Sequence, residues 1–197
     1  MTDSRTKLPC GSAHLALQGD RITLRRPVIA DARAIAVLAN DRRVAENTRR
    51  IPFPYRLQDA EQFLVAAAEG AAGSVFVIER GQKELIGVCG LDTARGKAPE
   101  LGLWLGHPYW GRGYATEAAR ALIRHAFTAT AVDEIVACVR ITNPASRRAL
   151  EKCGFEWSSV ELHRILALRS SVPVDRLVLR RRVWEQFDNR DPVRRVA

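Results

Sequence analysis

One stretch of the chain concentrates groups suited to holding an anion: Tyr109-Trp110-Gly111-Arg112-Gly113-Tyr114-Ala115-Thr116-Glu117. It follows an apolar run at 100–106 that reads as a strand, and it opens an Ala-rich run at 115–130 that reads as a helix. The first N–H groups of a helix have no helical acceptor, and that end carries partial positive charge. A phosphate can use both. Gly111 and Gly113 remove side chains that would hold a phosphate away from the backbone, and they permit positive φ. Thr116 offers a hydroxyl, and Arg112, Arg120 and Arg124 offer charge. The same spacing also serves a tight strand-to-helix turn that uses glycine for geometry alone. The pattern is neither the six-position dinucleotide fingerprint nor a P-loop.

Two further groups stand near this stretch. Glu100 begins the strand that leads into the loop, so its carboxylate either faces the same site or is an ordinary strand-end acid. Ser146 falls in the first turn of a helix announced by Asn143 and Pro144. Asn143 suits an N-cap, Pro144 suits the first helical position, and Gly154 lies just past the end. A Ser so placed can bond to nearby backbone. His107 reads as a turn residue before Pro108, and His125 as part of a solvated or edge face of its helix. His14 and His163 have no partner visible in the sequence, and no His pair has metal-ligand spacing. No Gly-x-Ser-x-Gly elbow and no C-x-x-C occurs. No metal is expected.

The elements that must position these groups follow from periodicity. Residues 21–26 alternate as a strand, 30–40 have helical spacing, and Pro52 and Pro54 mark a loop. A helix over 58–69 stops at Gly70, with Asp59 in its first turn. Runs at 74–80 and 84–93 form a hairpin about Gly81 and Gln82. After the helix at 115–130 come an apolar strand at 134–140, a helix at 144–154, and strands at about 155–166 and 174–183. This order predicts a mixed α/β domain on one largely antiparallel sheet, with a strand–helix–strand crossover in its second half. Residues 1–19 read as a mobile arm, 20–188 as the domain and 189–197 as a frayed tail.

Composition sets the outer limits. The chain has 197 residues, 47% hydrophobic and 27% charged, which fits one domain with a real core. No apolar run approaches the roughly 18 residues of a membrane span. The first twenty residues carry no secretory apolar region, which argues against export and for the cytoplasm. The four cysteines fit reduced, mostly buried thiols. A net charge of +9 raises the question of acidic partners, yet the arginines are scattered apart from Arg180, Arg181 and Arg182. No stretch interleaves basic and aromatic residues, so nucleic acid is not an expected partner. Arg42, Arg43, Arg49 and Arg50 read as a solvated basic face, or as an attraction for an acidic substrate.

The run Glu100-Leu-Gly-Leu-Trp-Leu-Gly-His-Pro-Tyr-Trp-Gly-Arg-Gly-Tyr-Ala-Thr-Glu-Ala resembles the acetyl-coenzyme A loop of the GNAT N-acetyltransferases. That loop reads Gln/Arg-x-x-Gly-x-Gly/Ala; Trp110 fills its first position, Gly113 the first Gly and Ala115 the last. Trp110 departs from the general pattern and is similar to the Rim-type branch, which includes the ribosomal-protein-alanine acetyltransferases. Asn143-Pro-Ala-Ser146 followed by Cys153-Gly154-Phe155 resembles a second motif of the family. Leu24-Arg25-Arg26-Pro27, Asp31-Ala32 and Ile51-Pro-Phe-Pro-Tyr55 also match the branch. The resemblance spans roughly residues 20–187 with its motifs in order.

The resemblance implies the GNAT fold, an α+β arrangement of about seven mostly antiparallel strands with helices on both faces. It implies direct transfer of acetyl from acetyl-coenzyme A to a primary amine, with Glu100 as base and Ser146 as the acid that protonates the thiolate. Leu103 and Leu105 map to the strand whose backbone pairs with pantetheine. The loop residues Trp110 to Thr116, with Asn143, map to cofactor contacts. Acceptors consistent with it are a protein N-terminal amine, or a small amine such as an amino acid, polyamine or aminoglycoside. A non-catalytic acyl-coenzyme A binding module is the alternative of another class. A homodimer is the assembly the branch suggests.

Overall fold

The central strands bury both faces. Val75, Val77 and Val88 pack with Ile35, Tyr55 and Leu64 on one side. Phe76, Ile78, Leu91, Ile135 and Leu177 pack with Leu122, Ile123 and Phe127 on the other. A sheet covered on two sides needs nearly continuous apolar strands, and the middle of the sheet supplies them.

The computed structural model describes residues 15–71, 73–93 and 98–188. Among these, β1 is Ala16–Gln18, β2 Ile22–Arg25, β3 Ser74–Arg80, β4 Glu84–Asp92, β5 Glu100–Leu105, β6 Glu134–Arg140, β7 Glu156–Ile165 and β8 Ser170–Arg180. The helices are α1 (Ala32–Ala39), α2 (Arg42–Ala45), α3 (Leu57–Ala68), α4 (Tyr114–Ala129), α5 (Pro144–Glu151) and α6 (Arg181–Asp188). The strands form one sheet in the order β1-β2-β3-β4-β5-β6-β8-β7. Neighbours run antiparallel except β5 and β6, which are parallel. The strand α4 connects is therefore reached by a crossover, as the element order predicts. This is the α+β GNAT fold expected above, with eight described strands rather than about seven.

Three local differences have physical reasons. Residues 16–18, read as part of an arm, pair with β2 and add the extra strand. The rest of that arm, residues 1–14, and the tail 189–197 lie outside the described residues. The last strand starts at Ser170 and gives way at Arg181 to α6, where the sequence suggested strand to 183. The Arg181 guanidinium donates to the carbonyls of Phe127, Thr130 and Val132 at 2.8–3.0 Å. It thereby closes the carbonyl end of α4 and turns the chain onto the surface, where Trp184 stacks on Phe127.

A charged cluster fastens β2 to α1 at the sheet margin. Arg25 donates to both Asp31 oxygens at 2.8 Å and to Glu79 at 2.8 Å. The Val28 N–H also donates to Asp31. Burial alone would raise the Asp31 carboxyl; the Arg25 and Val28 hydrogen bonds outweigh it and hold it below the usual range. A depressed folded pKa stabilises above the unfolded value of about 4 and is lost as pH falls through the folded value. Asp31→Asn is expected to lower stability at pH 7 by about 1.5–3 kcal/mol. Urea melts of the two proteins between neutral and acid pH check this, and the difference between them shrinks on acidification.

Candidate functional site

β5 and β6 share a single register point, Glu100 opposite Val136, closed by a 2.9 Å bond from the Val136 N–H to the Pro99 carbonyl. Beyond it the strands part. Gly106 N–H donates to Ile86 on β4, so by the alternation of an antiparallel pair the Leu103 N–H and carbonyl point the other way, into the gap. An extended ligand carrying amides can bond there as a strand would.

A cavity of about 580 Å³ passes through this parting. Its walls include Ala115 and Ala119 of α4 and Ser146 and Leu150 of α5 on one face of the sheet. On the other face they include Tyr55, Asp59, Gln62 and the segment 47–52. Glu100, Leu103, Cys138 and Asn143 line it between the two. The cavity thus offers one mouth to a ligand held at α4 and a second mouth to a partner arriving from the α3 side.

The loop singled out by sequence meets the cavity at Ala115. Gly113 is the residue before α4 and has φ 84°, and Gly111 has φ 73°. No side chain caps α4, and its first helical bond runs from Glu117 N–H to Gly113. The N–H groups of Tyr114, Ala115 and Thr116 therefore have no helical acceptor. A Cβ on Gly111 would meet nothing within 4 Å, so that approach to the backbone is open. Arg21 clamps the turn, bonding Glu117 through its backbone and guanidinium, reaching the Arg112 carbonyl at 3.1 Å and lying 4.8 Å above the Tyr114 ring. These features fit a phosphate-bearing ligand such as coenzyme A.

Several sequence candidates do structural work as well. The Trp110 indole donates to the Leu105 carbonyl at 2.7 Å and packs against His107, so its ring closes the turn. Leu105 is buried in the core, whereas the Leu103 side chain is only partly buried. Asn143 Oδ1 accepts from the Ser146 N–H at 3.1 Å, which is the helix-cap arrangement. Arg120 reaches the Lys152 carbonyl and ties α4 to α5. His125 is half-buried with its ring edge-on to Phe76; burial, with Arg26 nearby, pushes it below its ordinary value. It lies on an edge face of α4 rather than a solvated one. His107 meets Arg43 at 3.0 Å.

The second mouth carries paired charges. Arg49 Nη1 lies 3.4 Å from Glu100 Oε2, and Arg50 Nη1 lies 3.1 Å from Asp92 Oδ2. Asp92 and Glu100 are opposite each other on β4 and β5. Of the four arginines read as a solvated face, Arg49 turns inward, while Arg50 stays exposed and Arg42 and Arg43 pair at the surface with Glu46 and Asp41. Arg49 keeps its Nε and Nη1 buried without a hydrogen bond. Burial, with Asp59 near, pushes the Tyr55 hydroxyl up to about 12, so it stays neutral here.

Sequence reasoning left His163 without a partner. In the structure its Nε2 lies 2.9 Å from Glu161 Oε2, and both join Cys138 in one cluster beside the cavity. The alternation Glu161-x-His163 on a strand was a visible signal that the two share a face. The approach of Cys138 across β8 was not.

The chain matches the model of the acetyltransferase (GNAT) domain over residues 21–156. It is 31% identical over 146 residues to the N-acetyltransferase p20 of Bacillus licheniformis, covering 71% of this chain and 82% of that one. Its fold is similar to that of Mycobacterium smegmatis RimJ in complex with CoA-disulfide, with TM-score 0.72 and 20% identity, covering 85% of this chain and 87% of RimJ. It is similar again to spermidine N-acetyltransferase from Vibrio cholerae in complex with CoA and spermine, with TM-score 0.71 and 23% identity, covering 84% and 98%. No helix among the described residues is long and apolar enough to cross a membrane. The chain belongs to the GNAT family of acetyl-CoA-dependent N-acetyltransferases.

Proposed function

We propose that the chain acetylates the amine of a peptide N-terminus, with Glu100 taking the proton from the acceptor and Ser146 giving one to the departing thiol. The observation that carries this reading is the shared cavity: Glu100 stands at the parting of β5 and β6 on the acceptor side, and Ser146 stands on the α4–α5 side of the same space. Acetyl-CoA supplies the acyl group. The N–H groups of Tyr114, Ala115 and Thr116, exposed by Gly111 and Gly113, hold its phosphates. The Leu103 backbone holds its amide-bearing arm, and Arg112 adds charge at the loop. Asn143 serves as the cap that aims α5, and with it Ser146, at the gap.

An ammonium group is not a nucleophile, so the acceptor must lose a proton first. Glu100 is within the cavity and only partly exposed, which suits that role. The choice of acceptor rests on Arg49 and Arg50. They pair with Glu100 and Asp92 at the second mouth, where Arg49 and Arg50 line the cavity. An amine that carries its own carbonyl, as a peptide does, can offer an acceptor to these guanidinium groups. A polyamine carries only further positive charge. If the chain works as a homodimer, β7 offers the surface, with Trp157, Val160 and Leu162 outward.

Thiol release from acetyl-CoA against two acceptor pools tests this. One pool holds short peptides with varied N-termini; the other holds polyamines, amino acids and aminoglycosides. Release with peptides is the expected result. Release with small amines alone moves the acceptor to a metabolite, and with polyamines it contradicts the role given to Arg49. Release with neither pool, with acetyl-CoA still bound, favours an acyl-CoA-binding module.

A further inference from the structure

We propose that Cys138, Glu161 and His163 form a binding site for a borderline divalent cation of the zinc class. A thiol sulfur, a carboxylate oxygen and an imidazole nitrogen come from β6 and β7, reaching over β8 on the face that also carries Glu100. The donor atoms all lie within 4.8 Å of one another.

The donor set decides the metal. Soft thiolate with imidazole suits zinc, cobalt or nickel, whereas magnesium and calcium need an all-oxygen set. Zinc bonds of about 2.0–2.3 Å in a tetrahedron place neighbouring donors roughly 3.5 Å apart. The His163–Glu161 contact at 2.9 Å must open slightly, and Cys138 must close by a rotamer shift. Three protein donors leave a fourth position for a solvent ligand, and Cys138 lines the cavity.

The charges near the cluster bear on the cost. Arg176 Nε lies 3.5 Å from Glu161 Oε1, and Arg49 also lies within electrostatic reach of Cys138, so both oppose a cation. Arg176 Nη1 already reaches Ser158 Oγ at 3.4 Å, an alternative seat on the outer side. On binding, the metal–sulfur bond forms, the S–H bond of Cys138 breaks, and the proton leaves to buffer. No oxidant or reductant is required.

The test is a titration of the metal-free whole chain with Co(II), followed by Zn(II). The expected result is a thiolate-to-cobalt charge-transfer band with the visible bands of four-coordinate Co(II), saturating at equimolar cobalt and erased by zinc. Cys138→Ser abolishes the charge-transfer band, and His163→Ala lowers cobalt affinity at least about tenfold. The second variant carries the test if the first does not fold. A folded wild-type chain without the band, a band undiminished in Cys138→Ser, or an unchanged affinity in His163→Ala overturns the site. None of these readouts depends on the acceptor or on acetyl transfer, so the site and the proposed function fail separately.

Discussion

Glu100→Gln lowers the turnover of acetyl transfer by about 10²–10⁴-fold while acetyl-CoA affinity stays near that of the unchanged chain. The substitution keeps the shape of the side chain and removes its capacity to take a proton. Only the fraction of acceptor already deprotonated in water can then react. The residual rate of the variant is therefore expected to climb about tenfold per pH unit until the acceptor amine titrates, near 8 for a peptide N-terminus. Calorimetry with acetyl-CoA and a pH–rate series on both proteins measure the two halves of this expectation. Turnover close to that of the parent chain would leave Glu100 as the ion-pair partner of Arg49 and nothing more.

Gly113→Val is expected to cost at least about 100-fold in affinity for coenzyme A without unfolding the chain. The φ of 84° excludes a β-branched residue, and a Cβ would stand 3.3 Å from Arg21 Nη2. The turn must therefore change shape, and the three N–H groups that follow lose their common aim. Two charge-assisted hydrogen bonds of about 1.5–3 kcal/mol each account for the loss. The fully buried positions of α4 begin at Ala118, a turn later, so circular dichroism and the melting transition should remain cooperative. Gly113→Asn, which tolerates the same backbone region, should recover much of the affinity. Unchanged binding in the valine variant would remove the phosphate reading of the loop.

The parts of the fold legible in sequence were those where one local rule dominated. β3 and β6 match the expected 74–80 and 134–140 because burial on both faces makes their apolar runs continuous. α5 was legible because Asn143, Pro144 and Gly154 punctuate it. α2 escaped because four residues are too few to show a period. α6 escaped because Arg181 is held by carbonyls some fifty positions earlier, which no local window contains. At the site, the glycine turn and its helix were legible as a strand–loop–helix sequence. The inward turn of Arg49 was not, since a run of arginines looks the same whether it meets water or carboxylates. The Cys138–Glu161–His163 cluster depends on strand order, with β8 inserted between β6 and β7, and order is a property of the whole chain.

The parting of β5 from β6 has a further consequence. Unpaired strand backbone is normally a hazard, because it templates aggregation with any extended chain that meets it. Here the exposed ladder is enclosed, with α4 and α5 on one side and α3 and the 47–52 segment on the other. A second polypeptide with full-sized side chains cannot lie along it, whereas a slender molecule with few substituents can. The fold converts a colloidal liability into a size filter, and the filter is made of main chain. Drift in the side chains around it can therefore alter which amine is chosen while the rung that receives the donor stays the same.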